Sequence, residues 1–298
     1  MYSGECDVKK AEELEKHLFS KYRFLRRFVI TKTHLNRRVV SYTLGRGGLL
    51  LAGAFHGAER ITAMMLYKFL DEVCECMDND ADFYNAVVKT GLSVVPMVNP
   101  DGVEISCNGV HTAGKNSEFV SECLVKSGLS YKKWQANAKG VDINHNFNAG
   151  YSEVKRKERE LGIIAPSVTR FGGEYAESER ETKALCELCR DNNYKVVAAL
   201  HSQGREIYYD YGNNTPSVSR TLADKMAELS GYTVSHPEGV AVGGGFKDWF
   251  IETYSRPAFT IEVGKGENPL SPDEFGSEYP LVSKMLFHLL KYTINNCI

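Results

Sequence analysis

The chain has 298 residues, 43% of them hydrophobic and 25% charged, with a formal net charge of −2. That is an ordinary globular composition, with enough apolar surface for one large α/β domain or two small ones. No basic stripe stands out and no run reaches transmembrane length, so neither nucleic acid nor a membrane is an expected partner.

Residues 1–21 are polar and read as an amphipathic helix with Ala11, Leu14, His17 and Leu18 on one face. This stretch lacks the apolar core of a secretory signal, so the expected location is the cytoplasm. Residues 27–34 and 38–43 are β-rich runs joined by Leu35-Asn36-Arg37, a hairpin. The apolar run 48–55 is a central strand, and 61–76 has the spacing of a helix packing back on the sheet. Residues 92–98 form another buried strand, closed by a turn at Asn99-Pro-Asp-Gly102. The stretches 104–140 and 161–177 read as long loops, which in a compact domain usually build functional walls or lids. Between them, 141–147 is a short strand with a polar end. Strands are expected over 196–200 and 258–263, and helices over 178–192, 217–229, 246–254 and 272–295. Alternating strands and helices imply a mostly parallel or mixed sheet covered on both faces. No repeat or linker interrupts this order, so residues 1–298 are expected to form a single domain. The eight cysteines are scattered and read as reduced thiols. Cys186 and Cys189 share one face of a helix and belong to the core; Cys74-x-Cys76 closes a helix and suits neither a redox pair nor a zinc knuckle.

Three apolar strands carry chemistry at their ends. His56 and Glu59 follow the run 48–55, His201 follows 196–200, and Glu262 ends 258–263. A lone histidine at a strand end is usually a satisfied polar residue; three strand ends carrying His, His and Glu in one sheet are hard to dismiss. The carboxyl edge of such a sheet is where ligands bind. A catalytic zinc site needs three protein ligands and one open position, and His56, Glu59 and His201 supply two imidazoles and a carboxylate. Glu262 is then free to take a proton from the attacking water, whose pKa the metal lowers toward ~7.

With those residues in place, the chain resembles the zinc metallocarboxypeptidases. The likeness runs through His56-x-x-Glu59, Asn99-Pro-Asp-Gly102, Gly140-Val-Asp-Ile-Asn144-x-Asn-Phe147, Leu200-His201-Ser, Asp248-Trp249 and Phe259-Thr-Ile-Glu262. Each motif is weak alone; their order and spacing make the signal. The resemblance implies a single-domain α/β fold around a mixed sheet of about eight strands. It also implies one zinc per chain and hydrolysis of an amide bond near a free carboxylate.

The pattern departs from the family in its substrate grip. The Asn-Arg pair that holds a terminal carboxylate is Asn144-His145 here, and imidazole offers no bidentate fork. The arginine that polarises the scissile carbonyl aligns with Gln135, leaving Lys139 or Lys133 to supply the cation. The family's mobile tyrosine has no equivalent; Val240 stands near its place, in a loop ending Gly243-Gly-Gly245. Lys247, just before Asp248-Trp249, falls at the floor of the pocket for the side chain beyond the scissile bond, where it favours an acidic group. The segments 200–208 and 243–250, with Trp134, Asn137 and Gly140, resemble the bacterial γ-D-glutamyl-meso-diaminopimelate peptidases. That branch cleaves peptidoglycan stem peptides, and the lack of a wall-binding module fits turnover of soluble muropeptides. The expected activity is therefore a zinc peptidase cleaving the γ-D-glutamyl-diaminopimelate bond, with a peptide or muropeptide as its partner and no obligate protein partner. The alternative is a carboxypeptidase with an acidic preference on ordinary peptides. Further off stand a zinc acylase, disfavoured by Asn99-Pro-Asp-Gly102, and an inactive zinc-binding protein, disfavoured by the retained Glu262.

Overall fold

The structure is a computed structural model that describes residues 1–296, the side chain of Val240 excepted. Its eight strands are β1 (Arg26–Lys32), β2 (Arg38–Leu44), β3 (Leu49–Gly53), β4 (Leu92–Val95), β5 (Val196–His201), β6 (Glu206–Tyr208), β7 (Thr233–Ser235) and β8 (Ala258–Glu262). They form one mixed sheet in the order β1-β2-β4-β3-β5-β8-β6-β7. The central strands β4, β3, β5 and β8 run parallel, whereas β1–β2, β2–β4 and β6–β8 are antiparallel pairs. Ten helices accompany them: α1 (Val8–Lys21), α2 (Ile61–Asn79), α3 (Ala81–Thr90), α4 (Pro100–Asn108), α5 (Ser117–Ser127), α6 (Tyr151–Glu160), α7 (Arg180–Asn192), α8 (Ser217–Ser230), α9 (Phe246–Tyr254) and α10 (Phe275–Asn296).

The continuous apolar runs are explained by burial on both faces. Leu49, Leu51, Val196, Ala198, Leu200, Phe259 and Ile261 pack with residues of α1, α2, α8 and α10. The alternate residues Leu50, Ala52, Val197, Ala199 and Ala258 pack on the opposite face with α7 and α9. Truncating one of these fully buried leucines to alanine costs about 2–5 kcal/mol.

Three expectations are corrected. The stretch 104–140 is not one loop: α4 extends to Asn108 and α5 fills 117–127. Together with Trp134 and Val168 they enclose a third apolar cluster. Asn99-Pro-Asp-Gly102 is a helix start, not a strand-closing turn. Asn99 Oδ1 accepts from Gly102 N at 2.8 Å and Pro100 occupies the first helical turn, where no N–H is needed. Residues 141–147 form no strand; Ile143–His145 is a 3-10 turn opened by Asp142. The segment 161–177 carries no helix or strand, as expected. Cys186 and Cys189 lie in the core, and all seven cysteines of the described residues are free. No helix among the described residues is long and apolar enough to cross a membrane.

Candidate metal centre

β3 ends at Gly53, and Ala54, in the left-handed region at φ 47°, turns the chain out of the sheet. Phe55 and His56 follow, and a 3-10 turn at Gly57–Glu59 brings the Glu59 carboxylate back beneath the His56 ring. Only glycine fits at position 57: a Cβ there would stand 2.2 Å from Gly102 O and 2.7 Å from Trp134 O. His201 is the last residue of β5, and the parallel register sets it beside Glu262 at the end of β8. Strand geometry thus places the two partners, and a turn places the other two.

Three of the four residues predicted for the metal chemistry, His56, Glu59 and His201, converge. His56 Nδ1 lies 2.8 Å from one Glu59 oxygen and His201 Nδ1 2.9 Å from the other. The donor atoms of His56, Glu59 and His201 all lie within 4.8 Å of one another. Burial alone would push Glu59 up and His56 down. The imidazole charges outweigh it at Glu59, keeping that carboxyl ionised. At His56 the carboxylates Glu59 and Asp142 outweigh it and favour a proton. A field that favours a proton in a buried site also favours a cation, and this donor set suits a borderline metal such as zinc. The residues present therefore fit the group.

Asp142, which sequence reading left unassigned, orients the centre. Its Oδ1 stands 3.0 Å from His56 Nε2 and accepts from Asn144 N at 3.1 Å; its Oδ2 accepts from Arg170 N at 2.8 Å. A carboxylate behind a ligating imidazole fixes its tautomer, leaving Nδ1 free to bind. Burial raises the Asp142 pKa, but His56, His145 and the Arg170 amide more than reverse it, and the group is held far below the carboxylate range. The only signal in the sequence was its place in Val141-Asp-Ile-Asn144, shared with the family motif.

Glu262 reaches the same cavity, of about 120 Å³, lined also by His56, His201, Asn144, His145, Tyr208, Lys247, Asp248 and Thr260. Its carboxyl is pushed well above the carboxylate range by burial and by the charges of Glu59 and Glu206, against the pull of His56. Asn144 is held by Phe246 N, which donates to its Oδ1 at 3.1 Å, so its amide N–H₂ is available to a ligand.

The predicted substrate residues divide. Asn144, His145 and Lys247 line the cavity; Gln135, Lys139 and Lys133 do not. Gln135 Oε1 accepts from the Thr169 hydroxyl. Lys139 is drawn away by Glu179 at 2.9 Å, and Lys133 faces Glu267 at 3.4 Å. Burial, with the charges of His56 and Arg170, pushes His145 down against the pull of Asp142, so it supplies no cation. Lys247 is a buried residue of the cavity lining, and its Nζ donates to Asp210 O at 2.5 Å and pairs with Asp248. The Val240 side chain lies outside the described residues.

Two imidazoles and a carboxylate on adjoining strand ends, with a second carboxylate opposite, define a hydrolytic metal centre. The model of the zinc carboxypeptidase family matches residues 16–282, and the chain belongs to that family. Gamma-D-glutamyl-L-diamino acid endopeptidase 1 of Lysinibacillus sphaericus is 32% identical over 277 residues, covering 89% of this chain and 67% of that protein. Carboxypeptidase B of Bos taurus is 23% identical over 257 residues, covering 80% of this chain and 57% of that protein. The chain thus spans about two thirds of the first relative and little over half of the second. Bovine thrombin-activatable fibrinolysis inhibitor, solved in complex with tick carboxypeptidase inhibitor, shares the fold with a TM-score of 0.76. Identity is 17% and the match covers 99% of both chains.

Proposed function

We propose that residues 1–298 form one catalytic domain that hydrolyses the amide between a γ-linked D-glutamate and diaminopimelate in soluble peptidoglycan stem peptides, in the cytoplasm. The observation that carries this reading is a metal-binding cluster on a cavity whose lining includes a buried lysine. The name of the Lysinibacillus relative supports the same bond. His56 and His201, through Nδ1, and Glu59 would hold zinc, which when bound polarises the scissile carbonyl and acidifies the attacking water. Glu262 takes the proton of that water and delivers it to the departing amine. A carboxylate suits both roles because it can accept that proton and pass it on to the leaving nitrogen. Asn144 donates to a substrate carboxylate, and Lys247 faces the acidic end of the residue beyond the scissile bond.

A carboxypeptidase acting on ordinary peptides is the second reading, and Lys247 gives it an acidic C-terminal preference. Mass spectrometry of a diaminopimelate tripeptide incubated with zinc-loaded protein, beside peptides ending in Glu, Lys and Phe, separates the two. Cleavage at the γ-glutamyl bond is expected. An intact tripeptide beside a cleaved plain peptide refutes the cell-wall reading.

A further inference from the structure

Strand pairing gathers polar side chains on the face of the sheet that bears the cavity. In the antiparallel β6–β8 pair Glu206 stands opposite Glu262 and Tyr208 opposite Thr260. Ile207 and Ile261, between them, enter the core on the other face. Opposed residues of an antiparallel pair project to the same side. Tyr208, Thr260 and Glu262 accordingly line the cavity, whose lining also includes Lys247. The Tyr208 hydroxyl donates its proton to Glu206 Oε2, and Ser235 Oγ donates to Glu206 Oε1 at 3.1 Å. The Glu206 carboxylate thus holds two hydroxyls, and no Lys, Arg or His pairs with it among the described residues. A phenol whose proton is committed in this way presents acceptor lone pairs to a ligand. Backed by a carboxylate, such an oxygen suits a cation. Lys247, in the same lining, suits an anion. The far end of diaminopimelate is itself an amino acid, with an ammonium and a carboxylate on one carbon.

We propose that Tyr208 binds that ammonium, and that Glu206 is the positioning residue that fixes the hydroxyl as an acceptor and supplies the countercharge. The proposal deepens the peptidase reading above and rests on it. Lys247 alone is satisfied by any acidic side chain of the right reach. A residue without the ammonium leaves the Tyr208 oxygen and the Glu206 charge unanswered, and an unpaired polar group in a closed site is what rejects a near analogue. The pair therefore selects a side chain tipped by an amino acid over a plainly acidic one.

Two substrates test this: the γ-D-glutamyl-diaminopimelate peptide, and the same peptide ending in 2-aminopimelate, which keeps both carboxylates and lacks the far ammonium. The unsubstituted protein is expected to prefer the first by about 10–100-fold in kcat/KM, the worth of one charge-assisted hydrogen bond. Tyr208→Phe keeps the ring and Glu206→Gln keeps the shape; each is expected to cut that preference by about tenfold, chiefly through KM. Glu206 stands opposite Glu262, so its loss can alter the base, but that effect falls on both substrates and cancels in their ratio. An unsubstituted protein that does not discriminate, or a variant that keeps the full preference, overturns the assignment. Calorimetry with free diaminopimelate and free 2-aminopimelate reads the same contact on the unsubstituted protein, and equal affinities would sink the proposal. Failure of the peptidase reading shows differently, as no cleavage of either peptide by the unsubstituted protein.

Discussion

Asp142→Asn isolates the residue on which the metal centre turns. Three donors lie within 3.1 Å of that buried carboxylate: His56 Nε2 at 3.0 Å, Asn144 N at 3.1 Å and Arg170 N at 2.8 Å. Alanine would leave all three unpaired, at about 1–3 kcal/mol for each buried donor, and would confuse unfolding with loss of metal. Asparagine keeps the shape and one acceptor oxygen. If that oxygen faces His56 and Asn144, the new N–H₂ confronts the Arg170 amide, donor against donor. If it faces Arg170, His56 loses its acceptor and its fixed tautomer. In both cases the charge behind the imidazole is gone. Loss of such a carboxylate lowers metal affinity by about 10–100-fold, or about 1.4–2.7 kcal/mol. A competition titration against a fluorescent zinc chelator measures this directly, with circular dichroism confirming that the variant is folded. A folded Asp142→Asn protein that binds zinc within twofold of the unsubstituted one would refute the view that Asp142 orients His56.

Further expectations follow from the same geometry. Glu262→Gln should bind zinc normally and lose hydrolysis by about 10²–10⁴-fold; full activity would remove Glu262 as the base. Lys247→Met leaves Asp248 buried without its partner and should cost about 3–5 kcal/mol along with the acidic preference. Adding Asp248→Asn should recover part of the stability and none of the preference; a peptide screen and thermal melts read both. Glu181 is buried, its Oε1 has no partner, and burial with the nearby charges of Glu179 and Asp101 pushes it up to about 8. The unfolded chain releases that proton near pH 4, so between there and about 8 the native state binds more protons and stability falls as pH rises. Glu181→Gln should flatten that fall, raising the melting temperature at pH 8 by about 2–4 °C per kcal/mol recovered and changing little at pH 5. An equal shift at both pH values would contradict the assignment.

What the sequence made legible follows from where burial is two-sided. β3, β5 and β8 lie between two helical layers, so Leu49–Gly53, Val196–His201 and Ala258–Glu262 are apolar without alternation and visible as runs. β6 and the edge strand β7 are only three residues long and mostly half-buried, and carry no such pattern. α6 escaped because eight of its ten residues, in YSEVKRKERE, are charged or polar apart from Tyr151 and Val154. It is held by a buried Glu158, which accepts from Gly172 N at 2.8 Å, not by an apolar stripe. α4 and α5 were hidden by their glycine-rich surroundings, although Asn99-Pro100 is a readable helix start.

The same contrast divides the site. The ligands and Glu262 sit on or just past central strands, and strand ends are fixed by the core, so pattern reading located them. The proposed substrate grip is built from turns and irregular segments, whose contacts join residues far apart in sequence. Asp142 meets His56 across 86 positions, and Arg170 meets Asp142 across 28. No periodicity records such pairings. The substitutions there are consistent with one another in charge. A neutral His145 removes a cation from the turn, and Lys247 places one in the cavity lining. In the proposed function Lys247 answers the carboxylate at the far end of the substrate side chain, which diaminopimelate carries.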